Sequence, residues 1–328
     1  MRRTLLRIFA AAVIATLTCA PVQAQGWPAQ GKNIQLIVPA PGGGGTGDTI
    51  ARIIAEQLAV RLKSPVIVDN KGGANGNIGA AAAAAAPADG YHLLFSWAGT
   101  LAVNPALYKK LTFDPRRDFE PIALLADVPN IIVTSNEVPA KDVTQLVGYA
   151  RANPEKLHFG STGNGSSMHL AGELFMRESG ARMVHVPYSA PGQATTNLMA
   201  NEIQLMFQLV PGIVGQVKAG RVRALAIMSD QRSSALPDVP TTAEAGYPAL
   251  LSSTWFALLA PKGTPAAVLD RLNAEVNEIL KMPDVRKRLA DLGATPTGGT
   301  REALRDHLAT ETTKWARLVN EAKITIEQ

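Results

Sequence analysis

Short runs of β-branched and other apolar residues recur along the chain, and each leads into a stretch whose apolar positions fall three or four apart. The run IQLIVP (34–39) precedes a helical pattern over 48–62, PVIVD (65–69) precedes an alanine-rich stretch through 80–86, and HLLFS (92–96) precedes another turn and helix. The first kind of run is the signature of a buried strand and the second that of an amphipathic helix. Seven consecutive alanines are not low complexity here. Alanine is the best helix former, and Gly79 and Pro87 bound the run, so it reads as one tightly packed helix.

The same grammar starts again further on. NIIVTS (130–135), a helix over 143–152, LHFGST (157–162), a helix over 168–178, RMVHVPY (182–188), IQLMFQ (203–208) and VRALAIMS (222–229) follow in order, and STWFALLAP (253–261) returns as a strand. Thr264 is placed to cap the next helix with Pro265 at its first position. Leu269, Leu272, Val276 and Ile279 give that helix one apolar face, and Leu304, Leu308, Trp315 and Leu318 do so for a final helix over 301–322. Alternating strands and helices predict an α/β fold with largely parallel sheets, here in two units. Ligands of such sheets bind beyond the carboxyl ends of the strands, which directs attention to the loops 40–48, 70–79, 96–100, 160–169, 188–193 and 208–213.

Charge and cysteine usage narrow the setting. Arg2, Arg3 and Arg7 precede an uncharged apolar stretch over 8–17, and Val22-Gln23-Ala24 offers small residues for cleavage. That stretch is about half the roughly 20 residues a spanning helix needs, so residues 1–24 read as a cleaved secretory signal and a periplasmic location is expected. Losing three arginines from 32 basic residues leaves 29 against 27 acidic ones, a formal charge of +2. Nucleic acid is not an indicated partner of so neutral a chain. Cys19 is the single cysteine, so the exported protein has no disulfide and depends on burial, for which about 300 residues suffice in one large or two ordinary domains.

The stretch PAPGGGGTGDT (39–49) poses the chemical question. A P-loop ends in Gly-Lys-Ser/Thr, and this one ends Thr46-Gly47-Asp48. Gly42, Gly44 and Gly47 match a dinucleotide fingerprint with Asp69 about 20 residues on, so an NAD-dependent oxidoreductase is an alternative; export weighs against it, because no free nicotinamide pool is expected outside the cytoplasm. The remaining anion is a carboxylate. Apart from Lys71 the six loops carry no lysine or arginine in their central turns, so backbone N–H groups at helix starts would have to meet it. Thr162, Asn164, Ser166 and Ser167 add side-chain donors, one of which is placed to cap the following helix. Asp48 reads chiefly as a brace for the glycine loop, and His169 as a structural hydrogen-bonder or a donor to ligand. No histidine spacing fits a metal site, and no serine stands in G-x-S-x-G.

Phrases along the whole mature chain resemble the solute-binding proteins of tripartite tricarboxylate transporters, the Bug receptors. They include the glycine loop closed by DTIAR, GNIGA (76–80), NPALY (104–108), FDPRRDFEPI (113–122), GSTGNGSSMHLAGELF (160–175), VHVPYSAPGQA (184–194), KAGRVRALA (218–226), LPDVPTTAEAGYP (236–248) and WFALLAPKGTP (255–265). The resemblance implies a type II periplasmic-binding-protein fold of two doubly wound domains with a ligand cleft between them. Domain 1 would comprise 26–125 and 250–328, and domain 2 would comprise 126–249. It implies a monomeric carboxylate receptor that serves membrane permease subunits, with no catalysis and no cofactor. Carried onto this chain, the ligand-binding set is Gly43, Gly44, Gly45, Thr46 and Asp48; Ser96, Trp97 and Ala98; Thr162, Asn164, Gly165, Ser166, Ser167 and His169; Tyr188 and Ala190; and Gln208. Three departures from the family pattern stand out. The glycine loop is about two residues longer than usual, Trp97 replaces a small polar residue, and Gln208 stands where an aspartate is common. An amide cannot pair with an amine at full charge, and an indole can stack on a planar ligand, so the expectation is an aromatic mono- or dicarboxylate such as a terephthalate-type acid rather than an amino acid. An aliphatic di- or tricarboxylate is the alternative within the family.

Overall fold

In the computed structural model, residues 26–29, 31–43, 45–189 and 191–321 are described. The apolar runs become strands and the 3.6-periodic stretches become helices, in the order β1 (Ile34–Val38), α1 (Thr46–Leu62), β2 (Val66–Asn70), α2 (Asn77–Ala84), β3 (His92–Trp97), α3 (Asn104–Leu107), β4 (Phe119–Thr134), α4 (Val143–Ala152), β5 (His158–Ser161), α5 (Ser167–Ser179), β6 (Val184–Pro187), α6 (Pro191–Met199), β7 (Leu205–Leu209), α7 (Val214–Lys218), β8 (Arg223–Ile227), β9 (Ser253–Pro261), α8 (Ala266–Lys281), α9 (Pro283–Asp291), β10 (Thr295–Pro296) and α10 (Arg301–Glu321).

Strand directions place the site. β1 runs parallel to β2 and β3, β9 runs antiparallel to both β3 and β4, and β4 therefore points the same way as β1 to β3. After Pro129 the same strand enters a second sheet, where it pairs antiparallel with β7 and β8, and β7 is parallel to β5, itself parallel to β6. β5, β6 and β7 thus point back toward the first sheet. The carboxyl ends of the two parallel sets face each other across the crossover, which is where ligands of α/β sheets bind. Both sheets are mixed rather than largely parallel, because β4 and β9 run against their neighbours.

Each sheet is covered on both faces. Ile50, Ile54 and Leu58 of α1 and Leu272, Val276 and Ile279 of α8 pack on one side of the first sheet. Ala80 and Ala83 of α2, with Leu304 and Leu308 of α10, pack on the other. Small residues let α2 come close: a Cβ at Gly79 would lie 2.6 Å from the Lys71 carbonyl and 2.8 Å from Pro39 Cα. The second sheet buries Leu146, Phe159, Phe175 and Phe207 on one face and Leu198, Met206 and Ile213 on the other.

Two local expectations change. Thr264 does not cap α8, since its hydroxyl donates to the Pro261 carbonyl at 2.8 Å and Pro265 is the N-cap residue. β4 begins at Phe119, eleven residues before the run that predicts it. The Leu318 side chain and the expected helix end at Ala322 lie outside the described residues.

Candidate ligand-binding site

The glycine loop leaves β1 and enters α1 at Gly45, the N-cap, with no side-chain cap. Asp48 is 2 % exposed and works from behind. Its Oδ2 accepts from Gly43 N at 3.3 Å and Arg52 Nε at 3.1 Å, and its Oδ1 accepts from Asn70 Nδ2 at 2.9 Å. Asn70 also donates to the Ala40 carbonyl and accepts from Arg52 Nη2. The carboxylate, guanidinium and amide together fix both ends of the loop, and the charge of Asp48 is matched within that brace. Gly44, at the loop's centre, lies outside the described residues.

Beneath α1 is an aromatic floor. A Cβ at Gly47 would meet Phe256 at 3.4 Å, Phe95 at 3.6 Å and Trp97 at 3.9 Å. Phe95 stacks on Phe256 with centroids 5.4 Å apart, and Trp97 meets Phe256 edge-on at 6.5 Å. Trp97 is only partly buried and packs against the first core. Ser96 and Ala98 on either side of it are buried, and Ser96 Oγ is without a hydrogen-bond partner.

The loop after β2 contributes residues that motif reading passes over. Asn75 Nδ2 donates to Asn104 Oδ1 at 2.8 Å, Asn104 Nδ2 donates to the Asn75 carbonyl and to Asn77 Oδ1, and Thr100 Oγ1 donates to the Asn75 carbonyl. This amide cluster reaches the opposite loop, because a Cβ at Gly165 would lie 2.3 Å from Leu107 Cδ1 and 3.5 Å from Asn75 Nδ2. The clue in the sequence is the asparagine-rich ANGN at a strand's carboxyl end.

On the second sheet, Ser166 caps α5. Its Oγ accepts from His169 N at 3.3 Å and donates to the Gly163 carbonyl at 2.8 Å. His169 is buried, takes the Gly165 N–H on Nδ1 at 3.2 Å, lies 3.4 Å from Glu173 and stacks on His185 at 4.1 Å. Burial, with His169 alongside, drives the His185 pKa down to about 3. His185 Nε2 lies 2.6 Å from Ser161 Oγ, yet Ser161 is fully buried, so the pair braces the loop and offers no accessible nucleophile. Thr162 Oγ1 points to Met168 Sδ at 3.9 Å, and Tyr188 Oη accepts from Asn197 Nδ2 at 3.0 Å. Asn164 and Ser167 are partly buried in the same turn. Gln208 is 1 % exposed; its Oε1 accepts from Leu209 N at 2.9 Å while its Nε2 has no partner. Ala190 lies outside the described residues.

These loops form two groups, one at the carboxyl ends of β1 to β3 and one at those of β5 to β7, which meet through Gly165 and Asn75. Such an arrangement can hold and orient an anion. The family model for the tripartite tricarboxylate transporter family receptor matches residues 50–324. The chain belongs to that receptor family. Protein BugT of Bordetella pertussis is 38 % identical over 92 % of this chain and 92 % of its own length. Two solved Rhodopseudomonas palustris structures superpose closely. Rpa4515 with adipate has a TM-score of 0.85 at 33 % identity, covering 91 % of this chain and 99 % of that one. MatC (Rpa3494) with bound malate has a TM-score of 0.80 at 31 % identity, covering 89 % and 100 %. A tripartite-transporter receptor is a solute-binding protein, so the oxidoreductase alternative falls. Asp69, its proposed ribose acid, is held by Gln35 at 2.6 Å and Lys71 at 2.8 Å.

Proposed function

We propose that this receptor captures a small carboxylate between its two lobes in the periplasm and, as a monomer, delivers it to the membrane subunits of a tripartite transporter. The lobes are then 26–125 with 250–328, and 126–249. The observation that carries the reading is the start of α1. An uncapped helix N-terminus with a rigidly braced glycine loop lies at the carboxyl edge of β1, facing the loops of the other sheet. Backbone N–H groups there favour an anion. The signal segment, 1–24, lies outside the described residues, and no helix among the described residues is long and apolar enough to cross a membrane.

Within that class, an aromatic mono- or dicarboxylate of the terephthalate type fits the partly exposed indole of Trp97 beside the glycine loop. Gln208 Nε2 is a buried donor in search of an acceptor, which a second oxygen of the ligand would supply. The second reading, an aliphatic dicarboxylate, draws on the adipate and malate named with the two R. palustris relatives. Calorimetric titration with terephthalate, benzoate, adipate, malate, citrate and glutamate separates the readings. Tight binding of glutamate alone sinks both, and binding of adipate or malate without any aromatic acid selects the second. Trp97→Ala is expected to weaken aromatic ligands roughly three- to tenfold, the scale of one aromatic contact, while leaving aliphatic ones nearly unchanged.

A further inference from the structure

A cavity of about 1080 Å³ lies between α5 and α10, and none of the candidate ligand-binding residues named above lines it. Both sheets contribute. β4, β9 and α10 supply Asp127, Trp255 and Trp315, while α5 and the end of β8 supply Leu174, Met176 and Met228. Its size suits a small organic molecule.

The charges in this cavity are unevenly matched. Glu311 is met by Lys314 at 3.1 Å and accepts both indole N–H groups, from Trp255 at 3.1 Å and Trp315 at 3.0 Å. Glu178 is met by Arg177 at 3.2 Å, and Glu173 lies 3.4 Å from His169. Asp127 differs. Ser253 Oγ donates to it at 2.9 Å, but no cation among the described residues pairs with it, nor with Asp230 at the rim. Burial pushes the Asp127 carboxyl up to about 6 against the opposing hydrogen bond from Ser253, with the nearby charge of Glu311 adding to the rise and Lys314 opposing it. A carboxylate so placed gains from an incoming cation.

Its surroundings define the rest of the ligand. Trp255 is the register partner of Asp127 on β9, and its ring meets His307 edge-on at 4.8 Å. Burial lowers the His307 pKa, and its buried Nε2 has no partner. Glu311 fixes both indole N–H groups, so the rings are held in place as walls for an apolar body, and Lys314 Nζ already lies 5.2 Å from the Trp315 ring centroid. Leu170, Leu174, Met176, Met228 and the half-exposed Leu251 complete an adaptable apolar wall.

We propose that this cavity is a second binding site, for a primary organic ammonium with an aromatic or branched apolar body, its N–H groups donating to Asp127. The site goes beyond the carboxylate receptor and does not depend on it. The test is calorimetric titration of the intact protein at about pH 7.5, where the carboxylates are charged, with phenethylammonium chloride and its neutral counterpart 2-phenylethanol. Saturable one-to-one binding of the amine is expected, at least about tenfold tighter than the alcohol and weakened about tenfold by Asp127→Asn or Trp315→Ala. Asp127→Asn retains an acceptor for Ser253, so it carries the test if Trp315→Ala fails to fold, and circular dichroism melts establish that each variant is folded. The proposal is overturned by no saturable heat up to about 10 mM amine, beyond the millimolar range of specific weak binding, by equal binding of the alcohol, or by undiminished affinity in the folded variants.

Discussion

At the scale of single residues, two partly buried titratable groups pull stability in opposite directions with pH. Asp127 titrates at about 6 in the folded chain and near 3.9 when unfolded. Between those values the folded state holds more protons, so stability falls as pH rises and the cost is complete above about pH 6. Asp127→Asn is expected to raise stability at about pH 7.5 by roughly 1 to 3 kcal/mol and to change little at about pH 4; urea denaturation at the two pH values checks it, and an equal effect at both would refute it. His185 works the other way. Its folded pKa is about 3 against about 6.5 unfolded, so its contribution is intact above pH 6.5 and is lost as pH falls through that window. His185→Gln, which keeps a partner for Ser161, should flatten the acid limb of the stability curve. An acid limb as steep as the parent's would remove His185 as its cause.

At the scale of elements, Asn130 is the joint where β4 changes sheets. Its side chain is fully buried, donates to the Phe207 carbonyl at 2.8 Å and accepts from Ser252 Oγ at 3.0 Å, while its backbone bonds to Ser252 and Met228. Asn130→Ala removes the side-chain donor to the buried Phe207 carbonyl and the acceptor for the partly buried Ser252 hydroxyl and is expected to cost about 1 to 3 kcal/mol; a loss under about 0.5 kcal/mol in denaturant unfolding would show that water or a shift of Ser252 replaces the amide. The joint also marks the limit of what sequence reveals. β9 and α4 coincide with their predicted spans because each is an uninterrupted periodic pattern. The first eleven residues of β4 are hidden by Pro121, Asp127 and Pro129, which read as turn residues, and the strand absorbs part of the irregularity in register shifts against β9. α9 is missed for a different reason: it buries only Val285 and Leu289 within a highly charged stretch. In the site, glycines and hydroxyls at strand ends are legible as loop chemistry. The pairing of Asn75 and Asn77 with Asn104 is not, because the asparagines of ANGN meet the start of α3 only in the folded chain.

At the scale of the whole molecule, the two sheets share β4, and they touch again through the loop after β5. Gly165 is central to that contact. Its φ is +79°, a conformation that costs any side chain, and an added Cβ would fall 2.3 Å from Leu107 Cδ1 on the opposite lobe. Leu107 can rotate away; the backbone of the loop cannot follow so easily, since Gly165 N is held by His169 and Ser166 locks the turn at Gly163. A methyl at this position therefore acts as a wedge between lobes while leaving the braced glycine loop on the other side unchanged. A ligand that engages both lobes stabilises the folded protein by mass action, about 2.7 kcal/mol at a hundredfold excess over Kd, and draws the lobes together. Gly165→Ala is expected to weaken the best carboxylate of the panel about tenfold, equivalent to about 1.4 kcal/mol, and to reduce the ligand-induced fall in radius of gyration seen by small-angle X-ray scattering. Wild-type affinity together with full ligand-induced compaction in the variant would mean that the lobes close without this contact, and that the loop after β5 shapes the cleft without setting how far it shuts.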